Sequence, residues 1–216
     1  MRKSTHLLFF LAITTLPQMA ATAGPGWKGP AFSAEQVEFN RHTPGNMTTS
    51  RVYVSATGMR IESGKGTGAF LVAVTNYEKG KAWIALPERK LMAESALHKG
   101  ADAVPAKGVG VIVSGLLDPA PCGRYDLRKE LGAKTVSGRK TVKWACGDSR
   151  TKTTVLQWYD PALRAVIREE TQGGDIGELR KIKLGAQPRR LFVPPSGYRK
   201  VAMEQLLPGV PVQTYR

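Results

Sequence analysis

Apolar and polar residues alternate along much of this chain with a period of two rather than a helical spacing. Val52 and Val54 fall on one side of their segment, with Arg51, Tyr53 and Ser55 on the other. Met59 and Ile61 likewise oppose Arg60 and Glu62, and Ile167 opposes Arg168. A period of two is the strand period, because successive side chains on a strand leave by opposite faces. The pattern predicts strands over residues 31–41, 48–55, 59–63, 70–77, 81–86, 91–94, 141–146, 153–159, 165–170 and 178–184. The connections are short: Ala56-Thr57-Gly58, the Gly-ended loop Glu78-Lys79-Gly80, and Asp160-Pro161-Ala162-Leu163 with proline at its second position. Successive strands with short turns predict an antiparallel meander rather than βαβ units. A sheet with one apolar and one solvated face must close into a barrel or be covered.

The rhythm breaks over residues 95–118, which are rich in Ala, Gly and Val. That stretch is read as a short helical or loop lid. Large apolar residues are spread over separate strands and segments: Phe39, Phe70, Trp83, Trp144, Trp158 and Phe192. They are expected to face one interior. Two readings of that interior stay open, a close-packed core and a barrel left partly open for an apolar ligand. The ligand-facing candidates are Phe39, Val54, Met59, Ile61, Trp83, Trp158, Ile167 and Phe192.

The ends and the charge change the picture next. Arg2 and Lys3 precede the apolar run 7–16, Pro17 breaks it, and Ala21-Thr22-Ala23 supplies small residues for cleavage. The run is shorter than the roughly 20 apolar residues that span a bilayer. Residues 1–23 are therefore expected to be a signal peptide cut after Ala23, with residues 24–216 a single exported, periplasmic domain. Removing Arg2 and Lys3 leaves 30 basic residues against 17 acidic ones, a net charge of +13. The basic residues are scattered, with groups in 124–129, 134–143 and 180–190. None forms the block of like charges expected of a nucleic-acid tail. An anionic membrane surface and a generally basic exported proteome account for the charge equally well. Arg180, Lys181, Lys183, Arg189 and Arg190 are the candidate basic surface.

Cys122 and Cys146 are the only cysteines. In an oxidising compartment an even count predicts a structural disulfide. A metal site would require further ligands at short spacing, and the mature sequence offers only the isolated His42 and His98. No metal or other cofactor is expected. Catalytic signatures are absent from the sequence. There is no Gly-x-Ser-x-Gly elbow, and Gly64-Lys65-Gly66-Thr67-Gly68 departs from the phosphate-loop pattern and leads into a strand. Glu169 and Glu170 are neighbours on a strand and so point to opposite faces. The expectation is a binding protein, not an enzyme, with no nucleic-acid partner.

Several segments resemble the family of the periplasmic lipoprotein carrier LolA. The segment Phe192-Val193-Pro194-Pro195-Ser196-Gly197-Tyr198-Arg199-Lys200-Val201 is similar to that family's C-terminal ending. Gly58-Met59-Arg60-Ile61-Glu62 and Tyr77-Glu78-Lys79-Gly80-Lys81-Ala82-Trp83-Ile84 resemble its middle, and 131–141 resembles a hairpin of its uncharacterised members. The resemblance implies a mainly β fold, an unclosed antiparallel β-barrel with a short helical or loop lid. It also implies an apolar cavity for lipid or acyl chains, no catalysis, and a role in envelope lipid or lipoprotein trafficking. Two departures point away from lipoprotein ferrying in particular. Only residues 24–30 precede the first strand where the carrier has a helix, and Ala56 stands where the carrier has a lid-holding arginine. The alternative expectation is a structural or interaction protein of the envelope with a filled barrel core and a basic partner-binding face.

Overall fold

A computed structural model describes residues 26–66, 70–97 and 115–207. The expected signal peptide, His98 and residues 98–114 of the expected lid lie outside them. The described residues form one mainly antiparallel sheet of twelve strands.

Two meanders build it. The first runs β1 (Phe32–Asn40), β2 (Thr43–Ser55), β3 (Gly58–Ser63), β4 (Leu71–Asn76), β5 (Lys81–Leu86) and β6 (Leu91–Ala96). The second runs β7 (Leu127–Val136), β8 (Arg139–Asp148), β9 (Thr153–Asp160), β10 (Ala165–Thr171) and β11 (Asp175–Leu184). Pairing of β1 with β11 joins them. A two-residue β12 (Arg199–Lys200) then adds to β6, the one parallel pairing among the described residues. The order across the sheet is β12-β6-β5-β4-β3-β2-β1-β11-β10-β9-β8-β7. The two ends of this order do not pair with each other, so the sheet is unclosed.

Register assigns the faces. Val52 pairs with Ile61 and Val54 with Met59; Ile61 pairs with Ala73, and Ala73 with Ile84. These residues share the inner face and belong to the main core, together with Phe32, Leu179 and Ile167. Pieces from outside the sheet complete that core: Trp27, Leu116, Leu117, Leu163, and Leu206 from the short helix α1 (Met203–Leu206). The Trp27 indole N–H donates to the Pro30 carbonyl at 2.9 Å, and its ring meets Phe32 edge-on at 5.8 Å. Leu116 and Leu117, at the end of the expected lid, are thus core residues.

The other face of β4–β6 carries a second apolar cluster of Val72, Val74, Trp83, Ala85, Met92 and Phe192. This explains the unbroken apolar run Ala82-Trp83-Ile84-Ala85: β5 is buried on both sides. Its outer cover is the C-terminal strap, whose 3₁₀ turn Arg189–Phe192 inserts Phe192. The Asn76 amide donates to the Phe192 carbonyl at 2.8 Å. Gly58 permits the approach, since a Cβ there would stand 2.4 Å from the Thr75 carbonyl oxygen and 2.9 Å from the Phe192 side chain. The strap then rounds the β6 edge, where Arg199 N–H donates to Lys90 O and Val201 N–H to Met92 O, each at 2.9 Å. The C-terminal segment Phe192–Val201 therefore clasps one end of the sheet.

Candidate functional site

The eight residues expected to face one interior are divided by the fold. Val54, Met59, Ile61 and Ile167 belong to the inner core. Trp158, though its contacts join it to the same cluster, pairs with Arg168 and faces the other way, beneath Lys143 and Arg168. Trp83 and Phe192 lie in the second cluster under the strap, which corrects the expectation of a single interior. The physical reason is parity: Trp83 and Ile84 are adjacent on β5, so only one of them can face inward. Phe39 is half-buried near the far end of β1, with the Arg180 guanidinium 5.8 Å from its ring centroid. It borders an open cleft of about 290 Å³ whose other walls include Glu38, Asn40, Thr48, Asp175 and Ile176. The Asn40 amide there is already engaged by Asp175 at 2.8 Å and the Gly173 carbonyl at 3.0 Å.

The inner candidates are sealed. Val54 and Ile167 have no accessible surface, Ile61 keeps 1% and Met59 3%. A void able to hold water or an acyl methylene would leave accessible area on the side chains around it. These four therefore pack against protein atoms at interior density.

Beyond the apolar core, the inner face turns polar. Gln157 and Glu169 are fully buried, and the Gln157 amide donates to Glu169 Oε2 at 2.6 Å. Gln157 Oε1 accepts the Cys122 backbone N–H at 2.7 Å. Gly115, at φ +96°, passes so close that a Cβ would fall 1.8 Å from Glu169 Oε2. Leu117 N–H donates to Val166 O, and Val166 N–H donates to Asp118 O, each at 2.9 Å. The segment that starts at Gly115 is thereby tied to β10, and the Cys122–Cys146 disulfide fixes its far part to β8, with Cα atoms 5.2 Å apart. Glu169 Oε1 is buried without a hydrogen-bond partner. Burial, the largest cause, pushes the Glu169 carboxyl up to about 7; Asp118 adds to the rise, while Gln157 and Arg124 oppose it. Burial also pushes the Tyr125 hydroxyl up to about 12, with the Glu169 charge contributing.

This carboxyl couples stability to pH. An unfolded glutamate titrates near 4.5 and the folded Glu169 near 7, so the folded state binds the extra proton between those values. The stabilising contribution is complete below pH 4.5 and is lost as pH rises through 7, a fall of about 3 kcal/mol. Glu169→Gln is expected to remove that dependence and to raise stability above pH 7. Urea melts of both proteins across this range measure it, and parallel pH profiles would show that Glu169 is already ionised.

The expected basic surface is not one patch. Arg180 is held by Glu178 at 3.2 Å and Lys181 by Glu35 at 3.0 Å, on β11. Arg189 pairs with Glu78 at 3.5 Å, and with Arg190 it belongs to the strap turn that packs on β3 and β4. The strands β1 and β2 separate the two groups. Of the five, only Lys183 and Arg190 have no ion pair among the described residues.

A different cationic group is brought together by a strand that alternation did not reveal. β7 and β8 form a hairpin through Ser137 and Gly138, both at positive φ, with Val136 opposite Arg139. That is the geometry of a two-residue primed turn. Arg128, Lys129 and Lys134 on β7 and Lys140 on β8 have no ion-pair partner among the described residues. All four are exposed. Nearby, Lys143 Nζ lies 4.8 Å and the Arg168 guanidinium 5.0 Å from the Trp158 ring centroid. Arg168 is also paired with Glu178, whose carboxyl is held below its usual range: burial raises it, but Ser137, Arg168 and Arg180 outweigh that.

No protein-family profile and no curated protein matches the sequence. Solved structures do match. An uncharacterised conserved protein from Thermus thermophilus aligns over 81% of this chain and 91% of its own, at 12% identity and TM-score 0.52. MucB aligns over 79% of this chain at 15% identity and TM-score 0.50. The fold is shared with MucB. A LolA superfamily protein, NE2245 from Nitrosomonas europaea, also aligns, over 78% of this chain and 92% of its own, at 9% identity and TM-score 0.37. The chain spans only part of two matched proteins, 59% of MucB and 32% of PNGF-II.

Proposed function

We propose that this is a non-catalytic binding protein of the cell envelope that holds an anionic partner on its surface rather than enclosing an acyl chain. The observation that carries this reading is the sealing of the inner candidates, Val54, Met59, Ile61 and Ile167, at 0–3% exposure. With these four inner candidates packed against protein, the reading turns to the surplus of 30 basic over 17 acidic residues in 24–216 as the chemistry for a partner. Arg128, Lys129, Lys134 and Lys140 on the β7–β8 hairpin, exposed and without an ion-pair partner among the described residues, are the cations this reading assigns to the partner.

The reading includes export. The disulfide suits an oxidising compartment, and cleavage after Ala23 would leave Gly24 as the first residue sequenced from the exported protein. Lipid or lipoprotein trafficking through an interior cavity, the role the LolA resemblance implies, is the competing reading.

Calorimetric titration with poly-glutamate tests the surface reading. Micromolar binding is expected at low salt, with progressive loss as salt shortens the screening length to about 8 Å. Absence of binding at low salt would overturn it.

A further inference from the structure

Building on that surface reading, we propose that the free edge of β7 is a strand-addition site for an extended, acidic segment of a partner protein. The two ends of the sheet are treated differently. At β6 the chain's own strap covers the edge, through Arg199 and Val201 bonded to Lys90 and Met92 and through the buried Phe192 anchor. At β7 the only pairing among the described residues is with β8. An unpaired edge presents a row of backbone donors and acceptors that an incoming strand can satisfy.

Length and composition favour use over protection. Proteins keep bare edges short, whereas β7 has ten residues, about 33 Å of extended chain. Leu127 and Leu131 are 56% and 40% exposed on it, ready contacts for alternate side chains of an added strand. Lysines and a bulge can guard an edge against aggregation, and both are present, the register shifting between Glu130 and Ala133. Two outward leucines on a long edge work against such guarding.

Charge selects the occupant. β7 carries Arg128, Lys129 and Lys134 against the single acid Glu130, and Lys140 lies opposite Thr135. A second copy of β7 would set these cations against one another, and like charges across strands are destabilising. An acidic strand would place carboxylates beside them.

The probe is a capped ten-residue peptide alternating glutamate and valine, added to the full mature chain at low salt. Amide hydrogen exchange within residues 127–136 is expected to slow by about tenfold or more. The same peptide N-methylated at every residue keeps its charge but loses its N–H donors, and it should give no protection; nor should a lysine–valine peptide. R128Q/K129Q/K134Q should weaken binding by about tenfold with an unchanged thermal melt, since exposed charges contribute little to stability. Four results would each overturn the proposal: equal binding of the N-methylated peptide, protection confined to other strands, dimerisation through β7, or anionic vesicles as the only ligand. Poly-glutamate binding without β7 protection would remove the site while leaving surface binding intact; failure of both would remove both.

Discussion

Phe192→Ala is expected to destabilise the protein by about 3–5 kcal/mol, the range for emptying a large aromatic site in a packed core. Phe192 is 1% exposed and packs in the cluster of Val72, Val74, Trp83, Ala85 and Met92. Truncating it leaves a void between the strap and β4–β6, and it loosens the anchor on which the Asn76–Phe192 hydrogen bond depends. Because the strap also covers the β6 edge, amide exchange in residues 91–96 should accelerate along with the loss of global stability. Val193→Ala, at a neighbouring position 39% exposed, is expected to stay within about 0.5 kcal/mol of the parent. Urea melts of the two variants compare them directly. A Phe192→Ala loss no larger than that of Val193→Ala would mean the strap does not hold this end of the sheet.

The second large effect is expected at the other end. Cys122 and Cys146 close a loop of 24 positions, and a cross-link of that span contributes about 3 kcal/mol by restricting the unfolded chain. C122A/C146A should lose that amount. It should also raise amide exchange near Cys122, whose N–H is otherwise held by Gln157. Thiol titration of the unfolded, unreduced parent should find no free cysteine. Two free thiols would contradict the bridge, and an unchanged melting midpoint in the double variant would contradict its contribution.

How much of this was legible in the sequence depended on burial. β5 was readable to the residue, Lys81–Leu86, because Gly80 and Pro87 bound a compact apolar run. The face assignment within it was not readable. Trp83 and Ile84 alternate whichever way the strand is turned, and only the pairing of Ile84 with Ala73, and of Trp83 with Val74, decides which side each takes. Hence Trp83 and Phe192, grouped with Trp158 on size alone, belong to the strap side. β2 begins at Thr43 rather than 48 because its first arm, with Pro44 and Gly45, is exposed and carries no alternation. The alternation gave no signal for β7 for the same reason, since nine of its ten residues are exposed or half-exposed, and only the hairpin resemblance over residues 131–141 pointed to it. The disulfide was inferable from two cysteines and expected export. The Gln157–Glu169 pair had no signal, since a buried polar contact between strands depends on register that local sequence does not encode.

The most direct test of a sealed inner face is titration of the delipidated mature protein with a fluorescent fatty acid, followed by quenching of tryptophan emission and by native mass spectrometry of the purified chain. The packed arrangement of Val54, Met59, Ile61 and Ile167 predicts no saturable binding at micromolar probe and no co-purifying acyl species. One-to-one saturable binding, abolished by Ile61→Asp in a variant that still folds, would contradict it and restore the interior as the binding site.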